Sequence, residues 1–369
     1  MGLHAPGERW VPDWSILRRS LLCAATFVAL STAIACSGSP PATTYPAPHP
    51  SASAPAMTTL VPTAAAPTAP TTITPAPITP APTTPAPTTP HAAATSTAGQ
   101  IAPSSRATDA RPFDVFVPTT YDGLEPMPLV ILLHWLGATG DQVEAEYKVE
   151  AVAEEQHFLY VHPNGTVNEW GALSWNATDA CCNSSTPPVD DSSYLASVIR
   201  QVKTEYNVDA HRVFVLGISN GGFMAYRMAC DHADEISAIV SIVGATFLDS
   251  NMCHPTQPVS VLEIHGTADD TVPYEGGQFA PGSRFPGSER TVADWAALDG
   301  CAGERQLTGQ RLDLESGLSG NETRVSRFDG CPAGIGVELW VVEGGSHALR
   351  ITPNLVPEAV DFLLGHPRP

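Results

Sequence analysis

The chain has 369 residues, 36 of them proline, with only 15% charged residues and a net charge of −20. So little charge, against the roughly 25% of ordinary soluble domains, excludes a chain that is globular throughout. An acidic balance also excludes nucleic-acid binding through phosphate neutralisation.

The first 36 residues place Arg18 and Arg19 ahead of an apolar run ending at Cys36. A basic segment, about 15 apolar residues and small residues before a cut site predict a removable export signal, and the run is short for a bilayer span of about 20. The cut site Ala33-Ile34-Ala35-Cys36 resembles a bacterial lipobox. Cys36 is therefore the expected lipidation site, with plain secretion as the alternative, and its lipid the only expected contact with a membrane.

Residues 37–105 contain no Asp, Glu, Lys or Arg and hold 17 of the 36 prolines. The repeat Thr79-Pro80-Ala81-Pro82-Thr83-Thr84-Pro85-Ala86-Pro87 favours polyproline II and carries too little apolar bulk for a core. These residues read as a disordered tether, with an upper reach of roughly 200 Å at about 3.1 Å per residue. Residues 1–36 carry +1, which leaves −21 on residues 106–369, a length suited to one domain with a sizeable core.

Within that domain, short runs rich in β-branched residues predict strands buried on both faces. They are Pro128–His134, Phe158–Val161, Arg212–Leu216, Ile236–Val243, Val259–Ile264 and Val337–Val342. Ser192–Tyr206 puts Leu195, Val198, Ile199 and Val202 on one helical face, and Gly222–Cys230 predicts a second helix. Alternating strands and helices mean an α/β fold with a mainly parallel sheet, whose sites form at the carboxyl ends of the strands.

Gly217-Ile218-Ser219-Asn220-Gly221 stands between a predicted strand and a predicted helix. A G-x-S-x-G there is a nucleophile elbow, which lifts the serine oxygen above the sheet at a helix N-terminus. Serine needs a base, and an acid and a histidine should follow in that order. The acid lies in His265–Tyr274, where spacing alone leaves Asp269 and Asp270 open. The base is His347, just past the last strand; His134 and His265 precede the acid and are expected to bond loop backbone. An oxyanion needs two N–H donors. The elbow supplies Asn220, and the loop His134-Trp135-Leu136-Gly137 supplies Leu136. Trp170 and Trp175 lie on the loop after Phe158–Tyr160, where either could stack on a substrate ring or pack inside.

Six cysteines fall in the domain: Cys181, Cys182, Cys230, Cys253, Cys301 and Cys331. In an exported protein they suggest up to three disulfides rather than a zinc site. Cys301–Cys331 is the expected pair, because both sit in an insertion-like region after an Asp-Gly dipeptide. Adjacent Cys181 and Cys182 are expected to pair elsewhere rather than with each other.

Together these residues resemble the secreted esterase family of polyhydroxybutyrate depolymerases, feruloyl esterases and acetylxylan esterases. The resemblance is carried by the His134 loop, Trp175 with Cys181-Cys182, Val189-Asp190-Asp191, Asp209–Gly222, His265–Tyr274 and Gly344–His347. It implies an α/β-hydrolase with a mainly parallel central sheet flanked by helices, a Ser219–Asp269–His347 triad, no metal and no organic cofactor. Asp269 is preferred over Asp270 on that resemblance. The expected partner is an ester: a small ester, a polysaccharide ester or a polyester oligomer. Family members usually have Gly where this chain has Trp135, so Trp135 either walls the acyl pocket or reshapes the loop. With no polymer-binding module expected beside the domain, small or soluble esters are favoured. The competing expectation is a non-catalytic envelope scaffold on a hydrolase fold, which would normally lack a triad member.

Overall fold

A computed structural model of the chain describes residues 101–104, 111–182, 188–280 and 282–369. The export segment, Cys36 and the tether up to residue 100 lie outside the described residues. In chain order the first half runs β1 (Ile101–Ser104), β2 (Phe113–Phe116), β3 (Met127–Leu133), α1 (Gly140–Tyr147), α2 (Val149–Gln156), β4 (Leu159–Val161), β5 (Thr166–Val167), β6 (Leu173–Ser174), α3 (Asp191–Glu205), β7 (Val208–Ile218) and α4 (Asn220–Asp231). There follow β8 (Ala238–Ile242), β9 (Ser260–Gly266), β10 (Gly276–Gln278), β11 (Arg284–Pro286), α5 (Ser288–Leu298), β12 (Arg305–Leu312), β13 (Thr323–Phe328), β14 (Val337–Val342) and α6 (Leu355–Gly365).

Ten strands form one sheet in the order β1-β2-β4-β3-β7-β8-β9-β14-β13-β12. From β4 to β14 every neighbouring pair is parallel. These strands are buried along nearly their whole length because period-two alternation sends successive side chains to two different cores. Leu129, Ile131, Val213, Val215, Ile239 and Val261 face one layer, where they meet α3 and α4. Val130, Leu132, Phe214, Leu216, Val240 and Leu262 face the other, with α1, α2 and α6. Local chemistry starts the helices. Thr139 and Gln142 form a reciprocal capping box at α1, and the Asp190 carboxylate accepts from Ser193 N–H at the start of α3.

The edges depart from expectation. Ile101–Ser104, assigned above to the tether, pairs antiparallel with β2, so the folded part begins before Arg106. Without it β2 would present a row of unpaired backbone groups. At the other edge β12 and β13 form an antiparallel hairpin. The run Arg305–Leu312 is mostly exposed and polar, so no buried alternation announced it.

The disulfides also require a correction. Cys181 is joined to Cys182, across a cis peptide bond, while Cys230 pairs with Cys253 and Cys301 with Cys331. The adjacent pair closes on itself because the other four cysteines are already matched by the packing: Cys230 ends α4 near the turn before Cys253, and Cys301 and Cys331 flank the β12–β13 hairpin. The Cys301–Cys331 bridge spans a sequence separation of 30. Replacing both cysteines by serine is expected to lower unfolding free energy by about 2–4 kcal/mol, measured by urea denaturation under non-reducing conditions. A loss near zero would mean that the hairpin stays closed in the unfolded chain without the bridge.

Candidate active site

The centre of the sheet puts three chain segments at the same end. Ser219 follows β7, Asp269 follows β9 and His347 follows β14. Strand β9 lies next to β14 and only β8 separates it from β7, so parallel pairing alone brings residues 128 positions apart into one place.

The elbow is tight. Ser219 sits at φ 54°, ψ −117°, a conformation costing a non-glycine residue about 1–3 kcal/mol. Its flanking glycines make the turn possible. A Cβ on Gly217 would stand 2.0 Å from Gly221 O, and one on Gly221 would stand 2.1 Å from Leu133 O. The second approach also locks the elbow against the loop after β3.

His347 Nδ1 lies 2.7 Å from Asp269 Oδ2, and its Nε2 lies 3.0 Å from Ser219 Oγ. With Nδ1–H donating to the carboxylate, Nε2 is left to accept the serine proton. Asp269 is buried, and its Oδ1 accepts from Thr271 N–H at 2.9 Å and Val272 N–H at 2.7 Å. Burial alone would raise its pKa, but hydrogen bonds from His265 and His347 hold it well below the usual carboxylate range. Asp270, the other acid left open by spacing, is exposed to solvent.

Asn220 is the first residue of α4, so its N–H has no acceptor within the helix. In the loop after β3, Gly137 N–H donates to Leu173 O and Ala138 N–H to Trp135 O. Just before them, Leu136 N–H donates to none of the described residues. The loop is braced from behind by His134, whose Nε2 accepts from Gly165 N–H at 2.9 Å. That bond assigns the ring proton to Nδ1, which donates to Trp135 O at 2.8 Å. Burial lowers the His134 pKa to about 4, the bond to Trp135 O offsetting only part of this, so the ring is neutral.

Trp175 is not a substrate platform. It has 0% of its surface exposed, and its Nε1–H donates to His134 O at 3.0 Å. Its backbone N–H and C=O pair with the Asn220 side chain at 2.7 and 2.9 Å, so it fastens the nucleophile turn to the loop after β3. The same Asn220 amide lies 3.5 Å from Cys181 Sγ. Trp135 is half-buried and turned onto the core layer of α1, its ring 6.4 Å from Tyr147. Trp170 is 68% exposed on the β5–β6 turn.

His265, expected to bond loop backbone, also joins Glu263 and Tyr226 in a buried cluster. His265 Nε2–H does donate to Val272 O at 2.8 Å, but the ring also contacts Glu263 Oε1 at 2.8 Å and Asp269 Oδ2 at 3.4 Å. Tyr226 Oη donates to Glu263 Oε2 at 2.9 Å. An acidic residue within the buried strand Ser260–Gly266, two positions from a histidine and therefore on its face, is the signal that could have found this cluster. Among the described residues, no group of three or more His, Cys, Asp or Glu is arranged to hold a metal ion.

A mostly parallel sheet with helices on both faces and a G-x-S-x-G elbow at its centre defines an α/β-hydrolase. The sequence profile of the phospholipase/carboxylesterase family matches residues 121–281. The chain is 26% identical to feruloyl esterase B of Piromyces equi over 63% of its own length and 41% of the relative's. It is 26% identical to the putative esterase NocK of Nocardia uniformis, over 74% of this chain and 84% of that one. With a probable feruloyl esterase C of Aspergillus niger it shares 25% identity over 68% and 82%. The acetyl xylan esterase of Aspergillus awamori overlays 72% of this chain and 100% of its own with a TM-score of 0.49 and 15% identity. The chain thus spans less than half of the fungal feruloyl esterase B and most of the other relatives.

Proposed function

We propose that this chain is an exported serine esterase that cleaves carboxylic esters through an acyl-enzyme. The observation that carries this reading is the continuous contact from Asp269 through His347 to Ser219, at 2.7 and 3.0 Å, at the mouth of the elbow. His347 takes the Ser219 proton as Oγ attacks the ester carbonyl. The oxyanion that forms is held by the N–H groups of Asn220 and Leu136. As the intermediate collapses the C–O bond to the alcohol breaks, and the alcohol leaves with the proton from His347. Water, deprotonated by His347, then attacks the acyl carbon and frees Ser219 with the carboxylic acid. Every bond made or broken involves only the ester, water and these side chains.

The feruloyl esterases named above support feruloyl esters as the substrate class, with acetyl and hydroxyalkanoate esters as the neighbouring choices that the family resemblance implies. In this reading residues 1–36 direct export, Cys36 carries a lipid, and the residues after it hold the catalytic domain away from the anchor.

The test is a fluorophosphonate probe with mass spectrometry of the labelled peptide, followed by rates on methyl ferulate, acetylated xylan and a hydroxybutyrate oligomer. Labelling at Ser219 and turnover of the first two substrates are expected. A protein that takes no label and cleaves none of the three would be the scaffold of the competing reading.

A further inference from the structure

Behind the Asp269 carboxylate the fold has built a second, fully buried polar assembly that the reaction above does not use. It comprises Tyr226 on α4, Glu263 and His265 on β9, and the carbonyl of Val272 beyond the acid. Glu263 and His265 have 0% and 1% of their side-chain surface exposed. Burial of two ionisable groups in a strand costs several kcal/mol unless each is satisfied. Each is: Glu263 meets Tyr226 and His265, and both nitrogens of His265 face acceptors.

We propose that His265 is a positioning residue for the triad: anchored at Nδ1 by Glu263 and at Nε2 by Val272 O, it fixes Asp269 Oδ2 against His347. This rests on the triad reading above. The geometry argues for it in two ways. Asp269 Oδ2 faces two imidazoles, His347 Nδ1 at 2.7 Å and His265 Nε2 at 3.4 Å, while Oδ1 is held by the backbone. The carboxylate is therefore pinned at both oxygens and cannot swing away as His347 gains and loses its proton. Second, acidic and imidazole side chains alternate through this space as Glu263, His265, Asp269, His347, with Tyr226 at the far end and the Tyr274 ring edge-on to His265 at 6.0 Å. A charged His265 would keep Asp269 ionised and share its negative charge.

Burial by itself would lower the His265 pKa, but its bonds to Asp269 and Glu263 outweigh that and raise it to about 9. Glu263 is raised by burial. One proton lies between Nδ1 and Oε1, and the nearby Asp269 charge favours its residence on the ring. The sign of the pH effect follows. Without the His265 cation the whole Asp269 charge faces the other histidine, protons are held more tightly at the site, and the acid limb of the profile moves to higher pH.

The experiment has two arms. In full-length His265→Gln, rates are taken per fluorophosphonate-reactive site, so that loss of folded protein does not count. A kcat lower by about 10-fold or more with KM changed less than about 2-fold is expected, as for groups that orient a reacting ligand. The acid limb of kcat/KM should rise by about half a pH unit or more. An unchanged rate per site and an unmoved limb would reduce His265 to packing. The second arm keeps His265 and needs no activity. In Ser219→Ala protein labelled with ¹⁵N-histidine, NMR should find both His265 nitrogens protonated at pH 7, and adding Glu263→Gln should bring the loss of one proton to lower pH. A neutral His265 ring at pH 7 overturns the proposal, even where His265→Gln does not fold. Absence of label or turnover in the wild type would instead overturn the esterase reading.

Discussion

Ser219→Ala is expected to lower kcat/KM for an activated ester by about 10⁴-fold or more while leaving the folded protein intact. The expectation follows from position rather than from residue type. Among the described residues, Ser219 is the only hydroxyl hydrogen-bonded to His347 Nε2, and the bond is 3.0 Å long among groups that are partly shielded from water. Alanine removes the nucleophile but not the donors. Residual catalysis should therefore come from the N–H groups of Asn220 and Leu136 and from substrate binding. Alanine also inherits the strained φ of 54°, so the melting temperature should barely move. Glycine at 219 would release that strain and raise stability by about 1 kcal/mol or more while being equally inactive. Saturation kinetics and thermal melts on both variants check this. An alanine variant that turned over at the wild-type rate would send the nucleophile elsewhere.

The second large effect belongs to Trp175. Trp175→Ala should cost about 3–5 kcal/mol, since the side chain is wholly buried and the cavity would open between β3 and α4. The indole also stacks on His134, with ring centroids 4.8 Å apart, and donates to its carbonyl. Removing it frees the loop that carries Leu136, so kcat per folded molecule should fall as well. Trp175→Phe keeps most of the volume but strands His134 O, and should cost about 1–3 kcal/mol. Urea denaturation together with rates normalised to fluorophosphonate labelling separates the two contributions. If Trp175→Ala loses less than about 1 kcal/mol, the loop is held by something other than this indole.

Much of the site was legible because its chemistry is local. Gly217 and Gly221 flank Ser219 within five residues, and the backbone they allow can be read from steric demand alone. Ser219, the acid segment and His347 each follow a run of buried-strand character, and parallel pairing of such runs carries their ends to one side of the sheet. Choosing Asp269 over Asp270 needed more than spacing, because both follow the same strand and only folding turns one inward and leaves the other in solvent.

What the sequence determined by itself is the part that rests on periodicity and short-range sterics: a mainly parallel α/β sheet, an elbow at Ser219, and the order in which the candidate acid and base follow it. Only the tertiary structure decided the rest. The vicinal Cys181–Cys182 bridge, the burial of Trp175 against Asn220, the pairing of Ile101–Ser104 with β2 and the Glu263–His265–Asp269 cluster all depend on which distant surfaces meet. A cysteine or a tryptophan carries no local mark of its partner, and the spacing of Glu263 and His265 marks only that they share a strand face. The role of each is set by the dielectric and the neighbours that packing brings to it, and those exist only once the chain has folded.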